Sequence, residues 1–198
     1  MLEQLDDLNQ MQRVLGEDSN RAHIEAGAPG NDYARRNFVR VFLAGVEGLS
    51  FVLKTIVLNT HEMVGLTLSV GEIAKLKEIK LDAVGEDIVC EKCGVRRNFL
   101  PLADNFKFAW KMYAKSSFTV APFPCEGEGY ECFRKAISIR DRLMHPKSID
   151  DLTVTDTEMT ELGLARMWYA KNAVGVMSKC FVGHQKRMKD LYPTLFEN

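Results

Sequence analysis

With 198 residues the chain can bury one sizeable core, and two domains would each be small, so a single domain over 1–198 is expected. A hydrophobic share of 46% and a charged share of 27% exclude wholesale disorder. With 26 basic against 27 acidic side chains, the net charge of -1 excludes a general attraction to nucleic acid, and any polyanion binding has to be local.

Leu2 to Leu15 shows helical leucine and methionine spacing, and Gly16 to Gly30, closing on Gly27-Ala28-Pro29-Gly30, reads as a loop that includes His23. Asn31-Asp32 can cap a long helix running to about Thr60. Its apolar run from Phe38 to Leu58 is broken by Arg40, Glu47 and Lys54 at intervals of seven, which predicts a core helix with one wet edge and no unbroken membrane span. Gly45 and Gly48 leave a flat strip where another helix is expected to cross.

Ser69-Val70-Gly71-Glu72 has capping-box form and opens a helix through about Leu81. Signals weaken from Asp82 to Pro101, where Ile88-Val89 and Val95 to Phe99 allow a small hairpin around the Cys90 to Gly94 turn. Leu102 to Lys115 is helical, with Phe106, Trp110 and Tyr113 at core spacing. Phe118 to Gly129 reads as a loop, Tyr130 to His145 as a helix stopped by Pro146, and Lys147 to Val154 as a turn. Thr155-Asp156-Thr157-Glu158 is a second capping box, launching a helix to about Lys189. The fold expected is all-α, an antiparallel bundle of about five or six helices with a possible small hairpin near 88–99.

Five cysteines and no basic-then-apolar leader at Met1-Leu2-Glu3-Gln4 point to free thiols and a cytoplasmic setting. Cys90 and Cys93 have the spacing of half a zinc knuckle, but Cys125 and Cys132 offer no recognised second half, so reduced thiols are the reading. His61 and His184 read as surface or helix-end residues, and Lys179, Lys186, Arg187 and Lys189 as a solvated face matched to a helix dipole.

The chemistry-bearing segment is Arg140-Asp141-Arg142-Leu143-Met144-His145. At about 100° per residue, Phe133, Ala136, Ile137, Leu143 and Met144 fall within about 60° of Arg140, which places a permanent cation on an apolar stripe. Such a charge needs a carboxylate, a phosphate or a partner surface to meet it. Between Arg134 and Lys147 the cations Arg134, Lys135, Arg140, Arg142 and Lys147 face a single acid, Asp141. An arginine that forks onto phosphate oxygens, an imidazole titrating near neutrality and an orienting carboxylate suffice to cut RNA without a metal or other cofactor. Arg140, Asp141 and His145 are the candidate catalytic residues, and Arg142, Lys147 and Arg134 the candidate substrate-binding ones. The rival is structural: Arg140 pairs with an acid such as Glu47, and His145 only caps carbonyls.

Ile139-Arg140-Asp141-Arg142-Leu143-Met144-His145-Pro146-Lys147, on the penultimate predicted helix, resembles the Arg-x(4 to 6)-His signature of the HEPN superfamily. The stretch from about Tyr130 to Trp168 resembles uncharacterised bacterial HEPN-like proteins, and elsewhere the likeness is architectural. The resemblance implies a helical bundle that forms a homodimer, joining two motifs in one cleft. It implies either a metal-independent endoribonuclease of toxin-antitoxin or phage-defence type, which leaves a 2',3'-cyclic phosphate and has an antitoxin protein as possible partner, or a non-catalytic module that binds a nucleotide or a partner protein. Carried over, Arg140 and His145 are the catalytic pair and Asp141 their polar helper. On an ideal helix, residues five apart diverge by about 140° and about 7.5 Å of rise, so the pair converges only if Pro146 bends His145 away or a second subunit supplies the partner.

Overall fold

Helices carry most of the described residues in the computed structural model, which describes residues 2–28, 31–81, 89–90, 94–95, 98–120 and 123–196. They are α1 (Leu2–Ala26), α2 (Asp32–Thr60), α3 (Val70–Lys77), α4 (Leu102–Ser116), α5 (Gly127–Met144) and α6 (Asp156–Leu191). Two-residue strands β1 (Val89–Cys90) and β2 (Gly94–Val95) pair antiparallel, Val89 with Val95 and Cys90 with Gly94. The expected all-α bundle is what forms, and the rest of the expected hairpin lies partly outside the described residues.

The chain gathers into two compact units, Leu2–Leu49 with Phe123–Gly175, and Ser50–Pro122 with Val176–Asn198. In the first, α1 runs antiparallel to α2. Leu15 sits 3.7 Å from where side chains on Gly45 and Gly48 would begin, and the His23 ring lies 4.9 Å from Phe38. The flat strip read from the two glycines is therefore where α1 crosses. Phe42, Phe133, Trp168 and Tyr169 form an aromatic core with ring centroids 5.4 to 6.5 Å apart. At Gly129 a Cβ would come within 2.5 Å of the Trp168 ring, so that close approach of α5 to α6 needs a glycine.

In the second unit Leu53, Ile56, Val57, Phe106, Trp110, Tyr113, Val176 and Cys180 are buried, which makes the Phe106, Trp110, Tyr113 series core as its spacing predicts. Of the wet edge expected along α2, Arg40 is exposed and Glu47 partly exposed, while Lys54 departs from it. This lysine is 1% exposed, bonded to the Glu78 carboxylate and 2.8 Å from Asn105 Oδ1. The need to neutralise this ammonium accounts for the early end of α3. Glu78 turns left-handed (φ 55°, ψ 40°), donates its N–H to the Ala74 and Lys75 carbonyls, and brings its carboxylate to Lys54, so the helix stops at Lys77 instead of Leu81.

Two further boundaries differ from the sequence reading. Helix α1 continues through Gly16 to Ala26, because Ser19, Ala22 and Ala26 are buried and that packing outweighs the roughly 1 kcal/mol of helix propensity lost at one glycine. Helix α5 begins at Gly127, whose φ of 80° suits glycine, three residues before the expected start. Both capping boxes are present: Glu72 N–H donates to Ser69 Oγ at 3.2 Å, and Glu158 N–H to Thr155 Oγ1 at 3.2 Å. By length and composition α2 could cross a membrane. In this fold Phe38, Val39, Phe42, Leu43, Val46 and Leu49 are buried against protein.

Candidate functional site

The apolar face of α5 is rotated from where the stripe places it. Tyr130, Cys132, Phe133, Ala136, Ile139 and Leu143 are buried, while Met144 is 51% exposed. Arg140 therefore lies at the margin of the buried face, its side chain 29% exposed. Its Nη2 donates to Glu47 Oε1 at 2.6 Å, and Nη1 to Asp141 Oδ1 at 3.1 Å. Two of its five N–H donors are thus used, and the other three have no hydrogen-bond partner among the described residues. Glu47, set on α2 one heptad beyond Arg40, is the acid the structural rival names.

His145 ends α5 as its sequence predicts. Pro146 pushes it out of the α region to φ −132°, ψ 55°, while its N–H still donates to the Asp141 carbonyl at 3.1 Å. The residue is exposed, its imidazole has no partner among the described residues, and no hydrogen bond joins it to Arg140. Within one chain the Arg140 and His145 side chains are not brought together by any contact.

The surplus of cations in this segment disappears in the tertiary structure. Arg134 pairs with Glu131 at 3.5 Å, Lys135 with Glu161, and Arg142 with Glu158 at 2.9 and 3.2 Å. Together with Glu47 and Asp141, which both meet Arg140, five carboxylates pair with four of the five cations. Lys147 alone among these cations has no acid partner among the described residues. The hydrogen bond and charge of Glu161 hold the Lys135 ammonium above its usual range.

Arg142 is occupied more fully than Arg140. Beyond Glu158 it donates to the carbonyls of Asp151 at 3.2 Å and Thr153 at 2.7 Å. Burial raises the Glu158 carboxyl, but hydrogen bonds from Arg142 and Thr155 bring it below its ordinary value overall. The Asp151 carboxylate accepts the Lys147 and Ser148 N–H groups at 2.7 and 3.0 Å, which lowers its pKa. The turn after Pro146 is thereby fastened to both helices it joins, a role the sequence reading of Arg142 as substrate-binding missed. The available signal was the Glu158 of the capping box, sixteen residues on.

His23 lies on α1, not in a loop, and its pKa is lowered by burial and then by the Arg166 charge. His61 Nδ1 sits 3.2 Å from the Leu66 carbonyl, a satisfied helix-end contact as expected. His184 is 4% exposed, with no hydrogen-bond partner for either ring nitrogen among the described residues, so its reading as a surface or satisfied residue is wrong. Arg187 is not part of a solvated face either: its guanidinium lies 4.6 Å from the Phe118 ring centroid, and Nε donates to the Val64 carbonyl. Lys179, Lys186 and Lys189 are exposed.

Cys93, and the side chain of Cys90, lie outside the described residues. Among those described, Cys125, Cys132 and Cys180 are not joined in disulfides, and no group of three or more His, Cys, Asp or Glu is placed to hold a metal ion. No family model, no curated protein and no solved structure matches the chain.

Proposed function

We propose that the chain is a cytoplasmic HEPN-like endoribonuclease that needs no metal and works as a homodimer, with Arg140 and His145 from two copies lining one cleft. The observation that carries this reading is the state of Arg140: two carboxylates hold the guanidinium at the surface margin while three N–H donors stay open. A phosphate oxygen can take those donors. Arg140 would stabilise the charge building on phosphorus, and the imidazole of an exposed His145 would take the 2'-hydroxyl proton. The O2'–P bond forms as the P–O5' bond breaks and the departing O5' takes a proton from water, leaving a 2',3'-cyclic phosphate and a 5'-hydroxyl. Asp141 and Glu47 act as positioning residues. An antitoxin protein that covers the cleft fits a toxin role.

A specific observation favours a second reading. The neutralised cations leave little field to draw in RNA, and the Arg140–Glu47 pair is complete within one chain. A non-catalytic helical module that binds a nucleotide or a partner protein needs no more than that. Purified protein, His145→Ala and Arg140→Gln, each incubated with mixed RNA in EDTA, separate the two. The nuclease reading expects cyclic-phosphate ends from the parent and a loss of about a hundredfold or more in each variant, with helicity and oligomeric mass unchanged. No cleavage by the parent at high protein concentration gives the module its place.

A further inference from the structure

Gly16 on α1, Gly45 on α2 and Ala170 and Ala173 on α6 meet within the Leu2–Leu49/Phe123–Gly175 unit, and their small side chains leave a cavity of about 150 Å³. A Cβ on Gly16 would meet no atom within 4 Å, so the space is open and not merely undersized. Leu15, Phe42, Leu49, Tyr169 and Val174 supply apolar walls. Space of this size matches a benzene ring, and it opens to solvent beside Gly16, Ala170 and Val174, which are exposed.

Two polar groups break the apolar lining. Ser19 is only 8% exposed, and its Oγ has no hydrogen-bond partner among the described residues. A buried hydroxyl left unpaired is destabilising and uncommon, so it asks for an acceptor or donor that the chain itself does not supply. Among the described residues Arg166 is the only charged side chain lining the space, and its guanidinium donates to Asn20 Oδ1 at 3.0 Å. A positive group with spare donors beside an unpaired hydroxyl, over an apolar void, is complementary to a carboxylate on a compact apolar body.

We propose that this cavity binds a small monocarboxylic acid with an aromatic or compact aliphatic body, the body filling the void and the carboxylate accepting from Ser19 Oγ and Arg166. The site is separate from Arg140 and His145 and stands whether or not the chain cleaves RNA.

Titration calorimetry with phenylacetate and its neutral analogue 2-phenylethanol tests it on the full chain. Phenylacetate is expected to bind about tenfold more tightly than the alcohol, the worth of one charged hydrogen bond. Arg166→Gln removes that preference. Gly16→Leu, which enters open space from α1, and Ala173→Leu, which fills the void from α6, each abolish binding of both compounds; if Ala173→Leu fails to fold, Gly16→Leu decides alone. Absence of phenylacetate binding at millimolar concentration, equal affinity for acid and alcohol, or binding that survives the filled cavity in a folded variant overturns the proposal.

Discussion

Arg140 can keep a fixed charge at the edge of an apolar face because Glu47, on another helix, and Asp141, its own neighbour, both reach it. Partial exposure is what leaves its remaining donors usable. His184 shows the opposite solution, a titratable ring sealed in with nothing to bond it. Burial pushes its pKa below the ordinary 6.5, so the folded chain holds it neutral while the unfolded chain takes up a proton near that pH. The unfolded state then binds more protons, and stability that is complete above about pH 6.5 is lost as pH falls toward the depressed folded value. His23, also lowered, acts in the same direction. Urea midpoints should therefore drop for the parent between about pH 7 and about pH 5 and drop less for His184→Leu. An undiminished drop in that variant rules out His184 as a source of the acid sensitivity.

At the level of elements, the junction of α5 and α6 is held chiefly by Arg142. One guanidinium ties the Glu158 carboxylate of the α6 cap to the carbonyls of the intervening turn. The 3-10 turn Asp150–Leu152 is held in its turn by Asp151, which accepts two backbone N–H groups. Arg142→Ala removes charge-assisted bonds in a half-buried place and should destabilise the fold by about 2 kcal/mol, whereas Arg134→Ala, in an exposed helical pair, should change it by less than about 0.5 kcal/mol. Chemical denaturation of the two variants checks this. Equal, small effects would return Arg142 to the surface role its sequence position suggests.

For the whole molecule the decisive quantity is where charge remains. The sequence offers five cations within fourteen residues, yet Lys147 is the one of them without an acid among the described residues. The proposed homodimer would present about two free cations of this kind, and if it binds RNA the logarithm of its affinity should fall by about one to two units per tenfold rise in salt. Ten unfastened cations would give a slope of about seven. Filter binding of the His145→Ala protein across a salt series measures it. A steep slope would mean that RNA displaces the internal carboxylates.

The presence of each helix, the two capping boxes, the Phe106, Trp110, Tyr113 core series and the bend at His145 were legible in the chain, since each follows from periodicity or from the chemistry of a residue and its near neighbours. Glu47 was nameable as a partner for Arg140 but not assignable, because the two stand 93 positions apart and only packing brings them together. The same limit hid the burial of Lys54, the orphaned ring of His184 and the cavity at Gly16, Gly45 and Ala173. Local sequence determines which backbone a segment prefers and which charges it carries. Tertiary structure decides which of those charges are met, because desolvation and pairing depend on what lies across the core.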